Sequence, residues 1–355
     1  MRQRIKYIDI LRAIAIILVI IGHIPNPNLN ISIHKCIYAF HIPLFFFISG
    51  MTASFTDYTK INLKEKITKR FFRTYLPFLL WAIIGALSNL SLYAIACIIY
   101  GSHNSLMDVN NSSLWFLPTL FLSSIAMDFI LYLFSRKKSL SNKKLLLIPL
   151  FFLIALTIPQ DFSTENPGIP FGLNILPMAL FFMLLGYFFQ TYKTQISKIV
   201  PKLLRPIICI LCLFLLIFFG LNNHGTNYVL MAENRYGNLL CFFIAAISGI
   251  VASTIISLFI AKKLEHTSKF LTLVGNNTLV IFAFQRYSSS TLHQLLSLIT
   301  TGPIPNYILI PTYGIVVTIT CLIVSLFIKR FLPALAGIFP LRSNNLPDHP
   351  AQYNA

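Results

Sequence analysis

Negative charge is nearly missing from this chain: its 355 residues include only 10 Asp and Glu, against 28 Lys and Arg. Charged residues of both signs make up 11% and hydrophobic residues 56%, too little polar surface to cover a water-soluble body of this size. A soluble globular enzyme is therefore excluded. Cysteine is sparse as well, with six scattered residues. Cys209-x-x-Cys212 lies in an apolar stretch without a second pair or a nearby histidine, which reads as a buried structural pair, and no metal is expected. The chain shows no repeat, low-complexity linker or appended soluble domain. The expectation is one membrane domain, residues 1–332, and a short cytoplasmic tail, residues 333–355, that is disordered or surface-bound.

Apolar sequence, by contrast, is abundant. Windows long enough, or nearly long enough, to cross a bilayer recur at roughly 8–24, 36–55, 75–100, 114–134, 145–159, 171–192, 207–221, 239–260, 270–290 and 306–328. The fold class expected is all-α, a polytopic integral membrane protein with about ten transmembrane helices. Arg2, Arg4 and Lys6 precede the first run as in a secretory signal peptide. Asp9 and Arg12 interrupt that run, and Gly22-His23-Ile24-Pro25 is no small-residue cleavage site, so a retained helix is expected.

With these spans, 24 of the 28 cations fall on one set of loops and termini, Lys35 and Arg235 fall on the other, and Arg12 and Arg286 lie within spans. The positive-inside rule then puts both termini in the cytoplasm. The excess charge is topological, and no nucleic-acid partner is expected. The outer loops Gly101 to Ser113, Gln160 to Pro170 and Asn222 to Asn238 are Asn-rich and carry Asp108, Asp161, Glu165 and Glu233. Either they face a sugar or they are solvated connections.

Ionisable side chains inside spans are costly and point to function. On the first helix Arg12 and His23 are eleven residues apart, which puts them on one face about 16 Å apart, with Asp9 one turn before Arg12 and able to neutralise it. Either this is a polar stripe across the membrane, or Arg12 snorkels and His23 ends a helix. His41 on the second helix matches the depth of His23 and can share a proton with it, or can bond a carbonyl freed by Pro43. Arg70 and Arg73 fall on one side of a helical turn, a geometry that suits phosphates and equally an anionic lipid surface. Trp115 opens the fourth helix at the outer surface, as a lipid-boundary aromatic or a sugar-stacking one. Asp128 reads as a hydrated carboxylate near the cytoplasmic end, outside the site.

In order along the chain, Ile8-Asp9-Ile10-Leu11-Arg12 with His23, the segment Phe40 to Gly50, Arg70-x-x-Arg73 and Trp115-Phe116-Leu117 together resemble acyltransferase family 3 of polytopic membrane proteins. Phe181-Phe182-Met183-Leu184-Leu185-Gly186-Tyr187 and Gly275-Asn276-Asn277-Thr278-Leu279-Val280-Ile281-Phe282 look like later landmarks of that family. The resemblance implies transfer of an acyl group, usually acetyl, from cytoplasmic acetyl-CoA to a hydroxyl of a surface carbohydrate such as lipopolysaccharide O-antigen or exopolysaccharide, in a bacterial inner membrane. It maps the family's histidine to His23 and its arginines to Arg12, Arg70 and Arg73. The sequence departs from the family at Gln285, where a histidine often stands, and lacks the esterase-like domain of longer relatives. The site expected is His23 and His41 as catalytic groups, Arg12, Arg70 and Arg73 on the donor, and Trp115 on the acceptor. Membrane lipid and a glycan are the expected partners. A transporter or flippase for a polysaccharide precursor is the alternative, since ten spans with a polar stripe suit a path as well as an active site.

Overall fold

The computed structural model describes residues 5–24, 31–136, 143–160, 167–299 and 305–339. Among these residues the protein is helical, with one isolated antiparallel bridge between Leu230 and Arg235. Helices α1 (Lys6–Gly22), α2 (Ile31–Tyr38) and α3 (His41–Ala53) are followed by α4 (Leu63–Arg70), a π-helical turn (Phe71–Tyr75) and α5 (Leu76–Ala86). Short α6 (Leu92–Tyr100) and α7 (His103–Asp108) lead to the long α8 (Phe116–Arg136). Then come α9 (Leu147–Thr157), α10 (Leu176–Thr191), α11 (Lys193–Ile199), α12 (Leu204–Leu221), α13 (Leu239–Lys263), α14 (Glu265–Gly275), α15 (Thr278–Ile299) and α16 (Asn306–Phe331).

Seven stretches among the described residues are long and apolar enough to cross a membrane: Ser32–Ala53, Leu63–Asn89, Ser112–Arg136, Pro170–Thr191, Leu204–Leu221, Leu239–Lys263 and Ile308–Phe331. The remaining expected spans correspond to α1, the shorter apolar helix Lys144–Thr157 and α15. α1 has 17 residues, three of them charged, so length and composition alone leave it out of the seven.

The distribution of side chains inverts that of a soluble protein. Ile207, Ile210, Leu211 and Phe214 on α12 and Ile315, Ile323 and Phe327 on α16 are exposed, whereas Ser123, Thr254, Ser257 and Ser325 are buried. Lipid can cover the former; of the latter, Thr254 and Ser257 donate to carbonyls of their own helix and Ser325 donates to the Asn277 side chain. α1 is apolar nearly all round, which suits a central helix, and it packs against α2, α3, α13, α14, α15 and α16.

Glycine sets the closest helix approaches. A Cβ at Gly50 on α3 would lie 1.8 Å from the Met183 carbonyl oxygen on α10, and one at Gly186 would lie 1.9 Å from that of Phe47. A Cβ at Gly275 would lie 1.8 Å from the carbonyl oxygen of Asp9 on α1. Three glycines of the motif segments are thus places where backbones touch. Gly50→Ala must push α3 and α10 apart, with an expected loss of about 3 kcal/mol, read as a fall in thermal stability of the detergent-solubilised protein.

The start of the expected tail is folded onto the bundle. Pro333–Ala336 forms a short 3-10 turn, Trp81 Nε1 donates to the Leu335 carbonyl at 3.0 Å, and Phe339 packs its ring on Phe72. Residues 340–355 lie outside the described residues, as do Asp161 and Glu165.

Candidate active site

His23 is the C-cap of α1, where the helix gives way to non-helical backbone. Its Nδ1 lies 2.8 Å from the Val19 carbonyl oxygen, and since a carbonyl only accepts, Nδ1 carries the proton. In the neutral ring Nε2 then holds the lone pair. The residue is exposed at the end of the helix. His34 and Arg286 are its electrostatic neighbours.

The second expected helix is broken into α2 and α3 at Ala39–Phe40, just ahead of Pro43 in the first turn of α3, where a proline is tolerated. The break puts His41 at the start of α3, with Nδ1 2.9 Å from the Ile37 carbonyl oxygen. His41 is 2% exposed and faces no recess. Tyr38 stands against both imidazoles, its ring centroid 5.8 Å from His23 and 4.9 Å from His41, and its hydroxyl donates to the Gly22 carbonyl at 3.1 Å. Sequence reasoning missed Tyr38. Its position three residues before His41, in a segment already singled out, was the available signal.

Arg12 pairs with Asp9 at 2.8 Å, one turn apart as the spacing implies. The stripe between Arg12 and His23 is closed midway: Ile16 and Val19, which share its face, are 0% and 1% exposed. α1 therefore has a polar group at each end of this face and a sealed middle.

Arg70 and Arg73 differ in their surroundings, and a π-helical turn that begins at Phe71, between them, departs from the α-helical winding that the spacing assumed. Arg70 donates through Nε to Asp128 on α8. Lys66 reaches the same carboxylate at 3.0 Å, and the Tyr58 hydroxyl donates to it at 2.6 Å. Asp128 is 0% exposed, which corrects the reading of a hydrated surface carboxylate. An unpaired charge is too costly to bury, and two cations with a phenol offset that cost here. Tyr58, outside the spans, has its hydroxyl pushed well above the usual range by burial and by the Asp128 carboxylate. Arg73 is exposed and forms no ion pair among the described residues. Nearby on the same end of the bundle, burial and the Arg205 charge lower the Lys193 ammonium, which sits 3.9 Å over the Tyr7 ring.

Two recesses open at the His23 end. One, of about 340 Å³, is lined by Trp81, Asn110, Asn111, Arg286, Tyr287 and Gln294 among others. Arg286 Nη1 donates to the Asn110 carbonyl at 3.0 Å, which holds the guanidinium at this wall. The preceding Gln285 is buried with neither amide atom hydrogen-bonded. Arg286 is a further candidate that sequence reasoning passed over, although it is one of two arginines within spans. Trp115 is half-buried, edge-on to Phe116, and lines neither recess; the indole in the wall is that of Trp81. The second recess, of about 660 Å³, is formed by Lys35 and the loop after α12.

The structure thus brings His23, His41, Tyr38 and Arg286 to one end of the bundle and Arg12, Arg70 and Arg73 to the other. No curated protein matches this chain. The sequence model of the family described as "Acyltransferase domain" matches residues 5–330, nearly the whole length. That match, along an all-helical bundle that keeps the landmark residues in order, shows that the chain belongs to acyltransferase family 3 and is a multi-pass membrane protein with an acyltransferase domain.

Proposed function

We propose that the protein is a membrane O-acetyltransferase of the bacterial inner membrane that moves acetyl from cytoplasmic acetyl-CoA to a hydroxyl of a surface carbohydrate, such as lipopolysaccharide O-antigen or exopolysaccharide. Ten spans with both termini in the cytoplasm put the cation-rich end inside and His23 at the outer side. The observation that carries the reading is His23 itself: an exposed imidazole at the end of α1 whose Nδ1–H is fixed on Val19, which in the neutral ring leaves the lone pair on Nε2. That is the state a general base requires.

In the proposed reaction Nε2 of His23 takes the proton of the acceptor hydroxyl while its oxygen attacks the thioester carbonyl. The tetrahedral intermediate carries negative charge on the former carbonyl oxygen, beside the Arg286 guanidinium. Its collapse breaks the carbon–sulfur bond, and the CoA thiolate leaves with the proton from His23. His41 and Tyr38 position the base. At the cytoplasmic end Arg73 offers an unpaired guanidinium to the CoA phosphates, with Arg12 near the path of the arm. The sealed middle of the stripe requires Ile16 and Val19 to give way when the arm enters.

The two arginines of the Arg-x-x-Arg pair are expected to separate experimentally. Arg73→Gln raises the KM for acetyl-CoA about tenfold with kcat nearly unchanged, the cost of one charge-assisted hydrogen bond. Arg70→Gln instead lowers thermal stability, because it leaves Asp128 short of a partner.

The function is tested by transfer of labelled acetyl from acetyl-CoA into surface glycans, with intact protein and His23→Ala at equal expression. Label that depends on His23 supports the reading. Equal labelling removes His23 as the base, and no labelling with intact protein favours the transporter alternative.

A further inference from the structure

The positive-inside pattern strips cations from the His23 end of the bundle, and the few that remain there are not scattered. Of 28 Lys and Arg residues, Lys35, Arg235 and Arg286 belong to this end. Lys35 and Arg235 are 200 positions apart in the chain, yet they line the same recess of about 660 Å³, together with His224, Asn227 and Tyr228. We propose that the acetyl acceptor carries an anionic group, carboxylate or phosphate, and that Lys35 and Arg235 hold it in this recess, which the Tyr228 and Tyr38 rings link to His23. The proposal rests on the acetyltransferase reading and narrows its substrate class.

Three features make the recess a built site. Lys35 is half-buried, and its ammonium donates to the Leu221 carbonyl at 3.3 Å, which fixes the charge at the wall. Arg235 is held by Glu233 at 3.0 Å, so its guanidinium is oriented before any ligand arrives. The loop itself is braced: Asn223 donates to the Tyr236 carbonyl at 2.8 Å, Asn238 N–H donates to the Asn223 side chain at 2.7 Å, and Gln160 donates to the Gly237 carbonyl at 2.7 Å. Preorganised polar groups of this kind favour a ligand rich in hydroxyls and bearing charge.

The recess also connects to the base. Tyr228 in its wall lies 4.9 Å from the Tyr38 ring, and Tyr38 in turn lies against His23. A sugar whose acid group sits between Lys35 and Arg235 would extend along these rings, which offer apolar faces to a pyranose. Glu233 balances Arg235, so the net positive charge facing the ligand comes from Lys35.

The test is kinetic and chemical. Membranes that hold the full chain receive labelled acetyl-CoA, and the labelled glycan is fractionated by anion exchange before and after carbodiimide reduction of carboxylates or phosphatase treatment. The expected result is label in glycans retained by the anion exchanger, with retention lost after one of the two treatments, which tells carboxylate from phosphate. Lys35→Gln is expected to raise acceptor KM on the order of tenfold, with the KM for acetyl-CoA unchanged. Lys35→Arg restores binding and so separates loss of charge from loss of fold. Label in unretained, neutral glycan, or a Lys35→Gln variant with unchanged acceptor KM, overturns the proposal while leaving acetyl transfer intact. Absence of label with intact protein overturns the acetyltransferase reading and this proposal with it.

Discussion

His23→Ala is expected to lower acetyl transfer by about 10²–10⁴-fold, the usual contribution of a positioned general base, with little change in yield or thermal stability. The fold tolerates the change because the Val19 carbonyl that the ring engages also accepts the His23 backbone N–H at 3.0 Å, so truncation orphans no buried group. His23→Gln sharpens the result, since its amide can still donate to Val19 but has no basic nitrogen. Activity that follows the alanine variant assigns the loss to proton transfer; activity retained in the glutamine variant would assign it to orientation. His41→Ala is expected to behave differently. Its ring is buried, so removal leaves a cavity and loosens Tyr38, which costs stability along with rate.

Asp128→Ala is expected to destabilise the protein by roughly 3 kcal/mol, the low end for breaking a buried ion pair, because it leaves two part-buried cations without their counter-charge. Arg70 and Lys66 both terminate on this one carboxylate, and Tyr58 donates to it, so a single substitution disrupts three partners on two segments. Thermal unfolding in detergent measures this directly. A joint replacement of Asp128, Arg70 and Lys66 by apolar residues of similar volume should recover much of the loss, since the penalty lies in unpaired charge. The donor KM separates the roles: the joint variant keeps Arg73, so a near-normal KM for acetyl-CoA is expected from it once folded.

The parts of this account that were legible in the sequence are those set by local spacing. Hydrophobic windows predicted helices, and the i,i+3 spacing of Asp9 and Arg12 predicted their ion pair. The landmark glycines were noticed as motif members, but that Gly50 meets Met183 and Gly275 meets Asp9 depends on helix pairing that no single segment encodes. The Arg-x-x-Arg spacing carries α-helical geometry only if the helix is regular, whereas the backbone widens into a π-turn at Phe71. Asp128 was set aside because its partners lie 58 and more residues away, beyond any local pattern. The larger recess is built largely from a loop, where polar composition suits a solvated connection and a binding wall equally, and the smaller one from α5 and α15 side chains that only tertiary packing brings together. Arg286 carried a visible signal, an arginine within an apolar run, and only its placement near His23 gave that signal a role.

The central claim is that acetyl crosses the bilayer between the two polar ends of α1. It is tested most directly by sealed proteoliposomes in one orientation, with labelled acetyl-CoA confined to the compartment that faces Arg73 and the glycan acceptor confined to the compartment that faces His23. The account predicts label on the glycan across the membrane with intact protein and about 10²-fold or more less with His23→Ala. Label that appears only when donor and acceptor share one compartment would contradict it.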